Sequence, residues 1–593
     1  MPEYTAPLAD MRFVLRELFA DQDAPPLPGS EDFGDDVVDA VLEAGARMAG
    51  SVLAPLNHPG DEAGCRLERG AVYTPDGFRD AYARFAADGW VGLCTDPQVG
   101  GQGAPQRVGI LTQEMFASAN LSFSMYPALS YGAYQAIHRW GTAEQQRVYL
   151  PRLVDGSWSG TMCLTEAQCG TDLGLIRTRA EPAAAGGLAL TGSKIFISAG
   201  EHDLTRNIVH LVLARLPDAP PGIKGISMFL VPKFLPDEHG APGARNAVTC
   251  GSIEHKMGIK ASATCQLHFD AAAGFLVGAP HHGMRAMFTV MNAARLTVGV
   301  QGLALAEAAY QSAAAYARER LQGRAPRAAA RPGTAADPIV AHPDVRRMLL
   351  HMRAGVEGGR ALAGWVAREL DVAERHADPA QREAAQDLVS LLTPLVKAYL
   401  TDMGSACTNL GVQIFGGHGY IRDNGMEQFV RDARICQIYE GTNGVQALDL
   451  VARKLPAHGG RLLRRFFHPI AHYLAAHAND PTLAPFVGPL EKAFRRLQQA
   501  SGIIAQRGLR DPREAGAAAS EYLHLFALVA LGYLWCRALQ AAARGGAHSD
   551  AFYRAKRGTV RFYFERVLPH SGALFAAIMG GAGAITQFRD EDF

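Results

Sequence analysis

The chain has 593 residues, of which 48% are hydrophobic, and this combination favours several domains with sizeable apolar cores over a single one. Its 58 basic and 58 acidic side chains balance, so net charge gives no reason to expect nucleic acid or an anionic membrane as a partner. The nine cysteines form no CxxC pair and no zinc-like spacing, which argues against a metal site or a disulfide framework.

The N-terminus and the apolar runs indicate where the chain resides. The first residues mix acids with apolar side chains and lack a basic start, so they do not resemble a signal peptide. The longest uninterrupted apolar run, residues 525–536, is short for a membrane span. We therefore expect a cytoplasmic protein in a reducing compartment, with no membrane span.

Residues 1–156 are predicted to form an N-terminal helical domain. Apolar residues between Met11 and Phe19 recur at helical spacing and predict a leading helix that docks on the body of the protein. Further helices are predicted for Asp39 to Val52, Gly77 to Asp88 and Arg107 to Ala119.

The character of the chain changes near Ser157. Four runs rich in β-formers, separated by Gly and Pro, cover residues 188–198, 207–216, 225–232 and 264–270. Because no helical pattern intervenes, residues 157–280 are predicted to form a small antiparallel β-barrel or sandwich.

The remainder of the chain is predicted to be helical. Long helical patterns cover residues 285–320, 342–374 and 381–409, with a surface loop at 322–341, and give a bundle domain over 281–454. Residues 455–593 form an additional helical extension, with helices predicted over 489–504, 515–543 and 549–567. The predicted fold class is therefore α+β, in the order helical, β, helical, with an extra C-terminal helical domain.

A short loop near three quarters of the chain carries one carboxylate. The octet QIYEGTNG, Gln437 to Gly444, places Glu440 before Gly441 and Thr442, which supply backbone and hydroxyl donors. A glutamate in this setting suits a general base facing a pocket, although the residues alone also fit a loop carboxylate in water.

Two other stretches carry groups suited to a cofactor. CLTEAQCGTDLG, Cys163 to Gly174, offers the hydroxyls of Thr165 and Thr171 to a ring edge or a phosphate, although alone it could be any polar turn. QIFGGHGY begins at Gln413, and its consecutive glycines would let the backbone approach a dinucleotide closely.

These three motifs, in the order in which they follow one another along the chain, resemble those of the acyl-CoA dehydrogenases, and the resemblance covers Ser30 to about Lys454. The chain departs from the family pattern at Cys169, Leu175 and Gln428. The resemblance implies an FAD-dependent enzyme in which Glu440 removes the α-proton of an acyl-CoA thioester while the flavin accepts hydride from Cβ, leaving a trans-2-enoyl-CoA.

The resemblance also implies flavin-binding residues in the first half of the chain. Thr165 would face the flavin, and Thr171 would lie near phosphate or pantetheine. In KIFIS, Phe196 would lie against the isoalloxazine ring, and Ser198 would place a hydroxyl on the ring edge.

In the second half, the resemblance implies contacts to FAD and to the substrate. Arg295 and Tyr439 would contact the acyl-CoA, and no metal is implied. The remaining FAD contacts would come from Arg320, Gln413, Gly416, Gly417 and Thr442, several of them reaching a neighbouring subunit.

The C-terminal extension and the opening EYTAPLADMRFVL resemble a long subgroup of the family that includes 3-methylmercaptopropionyl-CoA dehydrogenases. This resemblance implies a thioether or fatty acyl-CoA substrate, a role in β-oxidation, electron-transfer flavoprotein as the acceptor and a homo-oligomer, with a dimer favoured. An acyl-CoA oxidase that uses oxygen and a catalytically inactive flavin-binding scaffold are the alternatives.

Overall fold

The computed structural model describes residues 4–19, 27–183, 187–237, 239–326 and 335–593. The chain divides into two compact units. The first, here called the helical unit, comprises Met1–Ala46, Gln106–Ser118 and Val298–Phe593. The second, the sheet unit, comprises Arg47–Pro105 and Ala119–Thr297.

Helices dominate the chain before the large sheet. Asn120 and Thr142 begin two of them by accepting hydrogen bonds from backbone N–H groups of the first turn. A short hairpin, β1 (Arg66–Glu68) with β2 (Ala71–Tyr73), interrupts the series. The helices are α1 (Leu8–Phe13), α2 (Asp35–Met48), α3 (Asn57–Ala63), α4 (Phe78–Ala87), α5 (Gln106–Ala119), α6 (Leu121–Trp140) and α7 (Ala143–Val154).

A seven-stranded sheet forms the centre of the sheet unit. Within it, β5, β4, β6, β7 and β11 pair in a closed ring, which is the barrel-like arrangement predicted from the sequence. Its strands are β3 (Trp158–Cys163), β4 (Arg179–Pro182), β5 (Leu188–Ser198), β6 (Asn207–Arg215), β7 (Ile226–Pro232), β10 (Val248–Ile253) and β11 (Thr264–Val277). A separate hairpin joins β8 (Phe234–Pro236) to β9 (Pro242–Arg245).

The pairing is not wholly antiparallel. β3 runs parallel to β6 along its whole length, and β4 meets β6 in a single parallel pair, Arg179 with Arg215. The sequence pattern could not predict this parallel pairing, because two other strands, β4 and β5, lie between β3 and β6 in the chain.

β6 and β7 are mostly apolar, and nearly every residue of the two strands is buried on both faces. In β6, Val209, Leu211 and Leu213 pack in one hydrophobic cluster, while Val212 and Ala214 pack in the other. Successive residues of a strand face opposite sides, so alternate residues of β6 enter different clusters. Because both sides are apolar, the sequence shows a near-continuous apolar run and not an alternation of apolar and polar residues.

Long helices follow the sheet, as predicted. The predicted loop at 322–341 lies partly outside the described residues, and its described ends are joined by a bridge between Leu321 and Pro338. The helices are α8 (Gly283–Glu319), α9 (Pro343–Arg375), α10 (Pro379–Phe415), α11 (Met426–Cys436) and α12 (Asn443–Asp449). The C-terminal extension contains α13 (Arg461–Ala476), α14 (Ala484–Gly508), α15 (Pro512–Arg544), α16 (Asp550–Phe562), α17 (Ser571–Gly580) and α18 (Gly583–Thr586).

Glycines let α8 and α10 approach each other closely in the helical unit. A Cβ atom on Gly404 would lie 2.4 Å from the carbonyl oxygen of Gly302, so neither position has room for a side chain. The neighbouring residues Gln301 and Asp402 thereby have fixed positions, from which both contact the segment between α11 and α12.

The leading helix docks on the helical unit through buried charges. Asp10 on α1 contacts both Arg360 on α9 and Lys556 on α16. Arg360 also lies 2.5 Å from carboxylate oxygens of Glu114 and Glu307. Because a buried charge is stable only when it is paired, this network fastens α1 to three other helices and to the extension.

Among the described residues, one helix has the length and hydropathy of a membrane span. This is α15, and 89% of its most apolar 18-residue window is buried inside the protein. Its apolar character is therefore accounted for by packing within the helical unit.

Candidate active site

The candidate base lies on a tight loop between α11 and α12, here called the catalytic loop, residues 437–443. Glu440 is half-buried and has φ +57°, and Gly441 follows with φ +85°. A left-handed conformation is uncommon for a residue with a side chain, and it persists only where surrounding contacts hold it.

Several hydrogen bonds hold the backbone of this loop. The Asn443 N–H donates to the Gln437 carbonyl at 3.1 Å, which closes the loop at its base. Thr442 caps α12 by accepting from the Val445 N–H at 3.3 Å. The buried Gln446 side chain donates to the carbonyl of Glu440 at 3.2 Å. The unusual backbone conformation at Glu440 is thus fixed from three sides.

The Tyr439 hydroxyl points into the protein. It donates a hydrogen bond to the Gln301 side-chain oxygen on α8, and it lies 3.8 Å from the Cys436 sulfur. Burial, together with the Cys436 thiol, raises the pKa of Tyr439 well above its usual value. Tyr439 therefore stays neutral and keeps its hydroxyl hydrogen as a donor. Because the hydroxyl is bonded to Gln301, the predicted substrate contact would be made by the Tyr439 ring or backbone.

The glycine-rich segment after α10 has open space at two positions. Gly416 caps α10 with φ +62° and ψ −140°, a conformation essentially restricted to glycine. A Cβ atom on Gly416 or Gly417 would meet no protein atom within 4 Å, and both glycines and Gln413 are exposed. Gly419, by contrast, is buried against Val412. The space beside Gly416 and Gly417 is therefore open to a ligand or to a second protein chain.

Arg320 lies beside this segment. It directly follows the end of α8, is exposed, and donates its N–H to the Tyr316 carbonyl at 2.8 Å. The Tyr316 ring stacks on Phe415 at 4.2 Å between ring centroids, and its hydroxyl lies 3.0 Å from His418. The structure therefore brings the predicted arginine and the predicted glycines to one part of the helical unit.

The first motif is anchored by a buried ion pair in the sheet unit. Glu166 accepts from the Lys194 ammonium at 2.8 Å, from the Thr178 hydroxyl at 2.6 Å and from the Arg177 N–H at 2.7 Å. Burial alone would raise the pKa of Glu166, but the Lys194 charge and these hydrogen bonds lower it to about 2. Glu166 is therefore an ionised anchor that fastens the motif to β5.

Three predicted flavin contacts lie next to each other because of this anchor. The Ile195 N–H donates to the Thr165 carbonyl at 3.0 Å, which places the Thr165 loop beside the end of β5. Phe196 lies at a register shift of β5 against β11, has φ +58°, and is 60% exposed. Ser198 ends the same strand. An exposed aromatic side chain among hydroxyls fits the face and edge of a flat polar ring.

The other predicted residues of the sheet unit lie in different surroundings. Thr171 is exposed on the loop that follows Thr165. Arg295 lies on α8 and is 6% exposed. Burial of an arginine at this level indicates that it serves a fixed contact and is not a solvated helix residue.

The sequence reasoning missed the residues that support the catalytic loop. Asp402 on α10 accepts hydrogen bonds from Gln437 and Asn443, and Lys397 donates to the Asn443 side-chain oxygen at 2.9 Å. Gln437 and Asn443 are part of the octet and could have been singled out. Asp402 and Lys397 lie in an ordinary helical pattern and give no local signal.

Comparison with known proteins accounts for nearly the whole chain. Residues 66–157, 161–272 and 281–455 match the N-terminal, middle and C-terminal domains of acyl-CoA dehydrogenase. Residues 466–589 match a family described as acetyl-CoA dehydrogenase C-terminal like.

Individual relatives are similar over their full length. The 3-methylmercaptopropionyl-CoA dehydrogenase of Ruegeria pomeroyi is 43% identical over 96% of this chain and 97% of its own. A butyryl-CoA dehydrogenase of Syntrophomonas wolfei is 34% identical over 95% of each chain. The crystal structure of Caenorhabditis elegans ACDH-11 in complex with C11-CoA matches with a TM-score of 0.78 at 21% identity, covering 96% of this chain and 92% of that one.

The N-terminal helical, central sheet and C-terminal helical arrangement agrees with these matches, so the predicted fold class is confirmed. The predicted enzyme class and the predicted FAD dependence are confirmed as well. The chain belongs to the acyl-CoA dehydrogenase family of FAD-dependent oxidoreductases.

Proposed function

We propose that this enzyme oxidises an acyl-CoA thioester at its α and β carbons and that Glu440 is the base. The Glu440 carboxylate takes the proton from Cα, a hydride equivalent leaves Cβ, and a trans carbon–carbon double bond forms. The single observation that carries this assignment is the left-handed backbone of Glu440, held by Gln446 and by the closed loop. Enforced backbone strain of this kind clusters at functional sites, and at Glu440 it coincides with the carboxylate of the family motif.

The described residues fit FAD as the cofactor. When bound, FAD supplies the acceptor for the hydride equivalent. We assign the flavin ring to the patch formed by Thr165, Phe196 and Ser198, with Thr171 close by, because an exposed aromatic side chain and hydroxyl groups suit its face and edge.

The remaining FAD contacts are assigned to Arg320, Gln413, Gly416, Gly417 and Thr442. The open space at the two glycines would admit a pyrophosphate-bearing ligand, and the exposed Arg320 would supply a positive charge to it. In this assignment a neighbouring subunit's FAD would occupy the space, so the enzyme would be a homo-oligomer, with a dimer favoured.

For the substrate, we propose a short-chain acyl-CoA contacted by Arg295 and Tyr439. The two relatives that are 43% and 34% identical are named for 3-methylmercaptopropionyl-CoA and butyryl-CoA, both with short acyl chains. We further propose electron-transfer flavoprotein as the electron acceptor, a role in β-oxidation, a cytoplasmic location, and domains at 1–156, 157–280, 281–454 and 455–593.

An anaerobic spectral titration with a graded series of acyl-CoAs tests this proposal. The purified FAD enzyme should lose its flavin absorbance with butyryl-CoA or 3-methylmercaptopropionyl-CoA, and less readily with long-chain acyl-CoAs. Rapid reoxidation of the reduced enzyme by air would instead support the oxidase. Failure of every acyl-CoA to reduce the bound FAD would support the inactive scaffold.

A further inference from the structure

A single carboxylate on α10 binds both ends of the catalytic loop. The Asp402 Oδ1 atom accepts from the Gln437 Nε2–H at 2.6 Å and from the Asn443 Nδ2–H at 2.7 Å. Gln437 lies three residues before Glu440, and Asn443 lies three residues after it. One oxygen therefore joins the two points between which the loop turns.

The other oxygen of the same carboxylate contacts the C-terminal extension. Asp402 Oδ2 lies 3.0 Å from Nε2 of His524 on α15, 122 residues along the chain. A carboxylate can only accept here, so the His524 Nε2 atom carries the hydrogen. α15 thus reaches the catalytic loop through one histidine and one aspartate.

Other contacts keep this arrangement in place. Lys397 and Thr401, on the same helix as Asp402, both bond to the Asn443 side-chain oxygen, at 2.9 Å and 3.2 Å. Burial would raise the pKa of Asp402, but hydrogen bonds from His524 and Gln437 lower it below its usual value. Asp402 therefore stays ionised and keeps all three of its acceptor contacts.

We propose that Asp402 and His524 are positioning residues for the base, and that the C-terminal extension acts on catalysis through them. The inference rests on the proposed role of Glu440. Asp402 holds Gln437 and Asn443 at the distance that the left-handed turn at Glu440 requires, and His524 fixes the Asp402 carboxylate. A misplacement of about 1 Å at a reacting group can cost on the order of a hundredfold in rate.

The test compares three variants of the full-length FAD enzyme. His524→Leu removes the donor, and His524→Gln keeps one, since its side-chain amide N–H can replace Nε2–H. Tyr522→Phe is the matched control, because it removes a 2.7 Å hydrogen bond to Ser501 within the extension without involving the catalytic loop. Anaerobic flavin reduction by butyryl-CoA gives the limiting rate and the apparent KM, and hydrogen exchange reports on residues 437–446.

His524→Leu should lower the limiting rate of flavin reduction at least about tenfold while changing KM little, because positioning acts on the reacting geometry. Hydrogen exchange of residues 437–446 should become faster. His524→Gln should restore most of the rate and the protection, and Tyr522→Phe should match the wild type in both.

Wild-type rate and protection in His524→Leu would overturn the inference, as would equal losses in Tyr522→Phe. If His524→Leu does not fold, Asp402→Asn provides the same comparison and should show the same loss of rate. Failure of every acyl-CoA in the series, butyryl-CoA included, to reduce even the wild-type flavin would contradict the proposed function. Hydrogen exchange would still test the positioning contact in that case.

Discussion

The Lys194 ammonium lies 2.8 Å from a Glu166 oxygen, and both side chains are buried beneath the first cofactor motif. The pair joins the loop that carries Thr165 to the strand that carries Phe196 and Ser198. The proposed flavin-binding patch of Thr165, Phe196 and Ser198 therefore depends on this buried ion pair.

Lys194→Met should strongly destabilise the sheet unit, because it leaves the Glu166 carboxylate buried without its cation. Loss of one partner of a buried pair costs about 3–5 kcal/mol in the free energy of unfolding. The melting temperature should fall, and FAD affinity should fall with it. The double variant Lys194→Met/Glu166→Leu should recover much of the stability, since it removes both charges. A double variant less stable than Lys194→Met would contradict this account.

Stability should also depend on pH through Glu166. Its folded-state pKa of about 2 is below the ordinary 4.5, so its stabilising effect is fully present above pH 4.5 and is lost as the pH falls toward 2. The difference in melting temperature between the wild type and Glu166→Gln should therefore narrow as the pH is lowered from 6 to 3. A constant difference over this range would show that the Glu166 charge contributes nothing.

The two adjacent glycines after α10 should respond differently to alanine. Gly416→Ala forces a side chain into a conformation suited to glycine and should cost about 1–3 kcal/mol in the free energy of unfolding. Gly417→Ala meets no protein atom and needs no positive φ, so the melting temperature of the flavin-free enzyme should not change. FAD affinity should nevertheless fall in Gly417→Ala, as measured by titration of the flavin-free enzyme. Unaltered affinity would remove Gly417 from the proposed FAD site.

Tyr439→Phe should slow flavin reduction without loss of FAD. The variant leaves the buried Gln301 oxygen without its donor, which costs about 1–3 kcal/mol in the free energy of unfolding. It also removes a contact that holds residue 439, which directly precedes the base. Tyr563→Phe is the control, because Tyr563 is also buried and donates to a carbonyl, that of Leu528, away from the loop. Both variants should lose stability, but only Tyr439→Phe should lose rate. Equal rates in the two variants would show that the Tyr439 hydroxyl has no part in catalysis.

Much of the fold could be predicted from the sequence because its signals are local. β5 was predicted at its observed bounds, and α8, α9 and α10 were predicted to within a few residues at most ends. The parallel pairing of β3 with β6 could not be predicted, since it depends on which distant strand lies alongside. The sequence also gave no sign that α1 would dock through Asp10 onto Arg360.

The candidate site shows the same division. Glu440, Thr165 and Gly416 each lie in a contiguous motif, and the resemblance of these motifs to those of the acyl-CoA dehydrogenases made them candidates. Asp402 and His524 could not be found in this way, because each lies within a long helix and its proposed role arises only from contacts with distant parts of the chain. Roles that arise from tertiary packing leave no pattern in the sequence.

The most direct test of the central claim is the anaerobic rate of flavin reduction in Glu440→Gln compared with the wild type. The substitution preserves the size of the side chain and removes its ability to accept a proton. A general base contributes about a hundredfold to ten-thousandfold, so the rate with a saturating acyl-CoA should fall by at least a hundredfold while FAD and the ligand still bind. A rate within a few fold of the wild type would place the base elsewhere and contradict the assignment of Glu440.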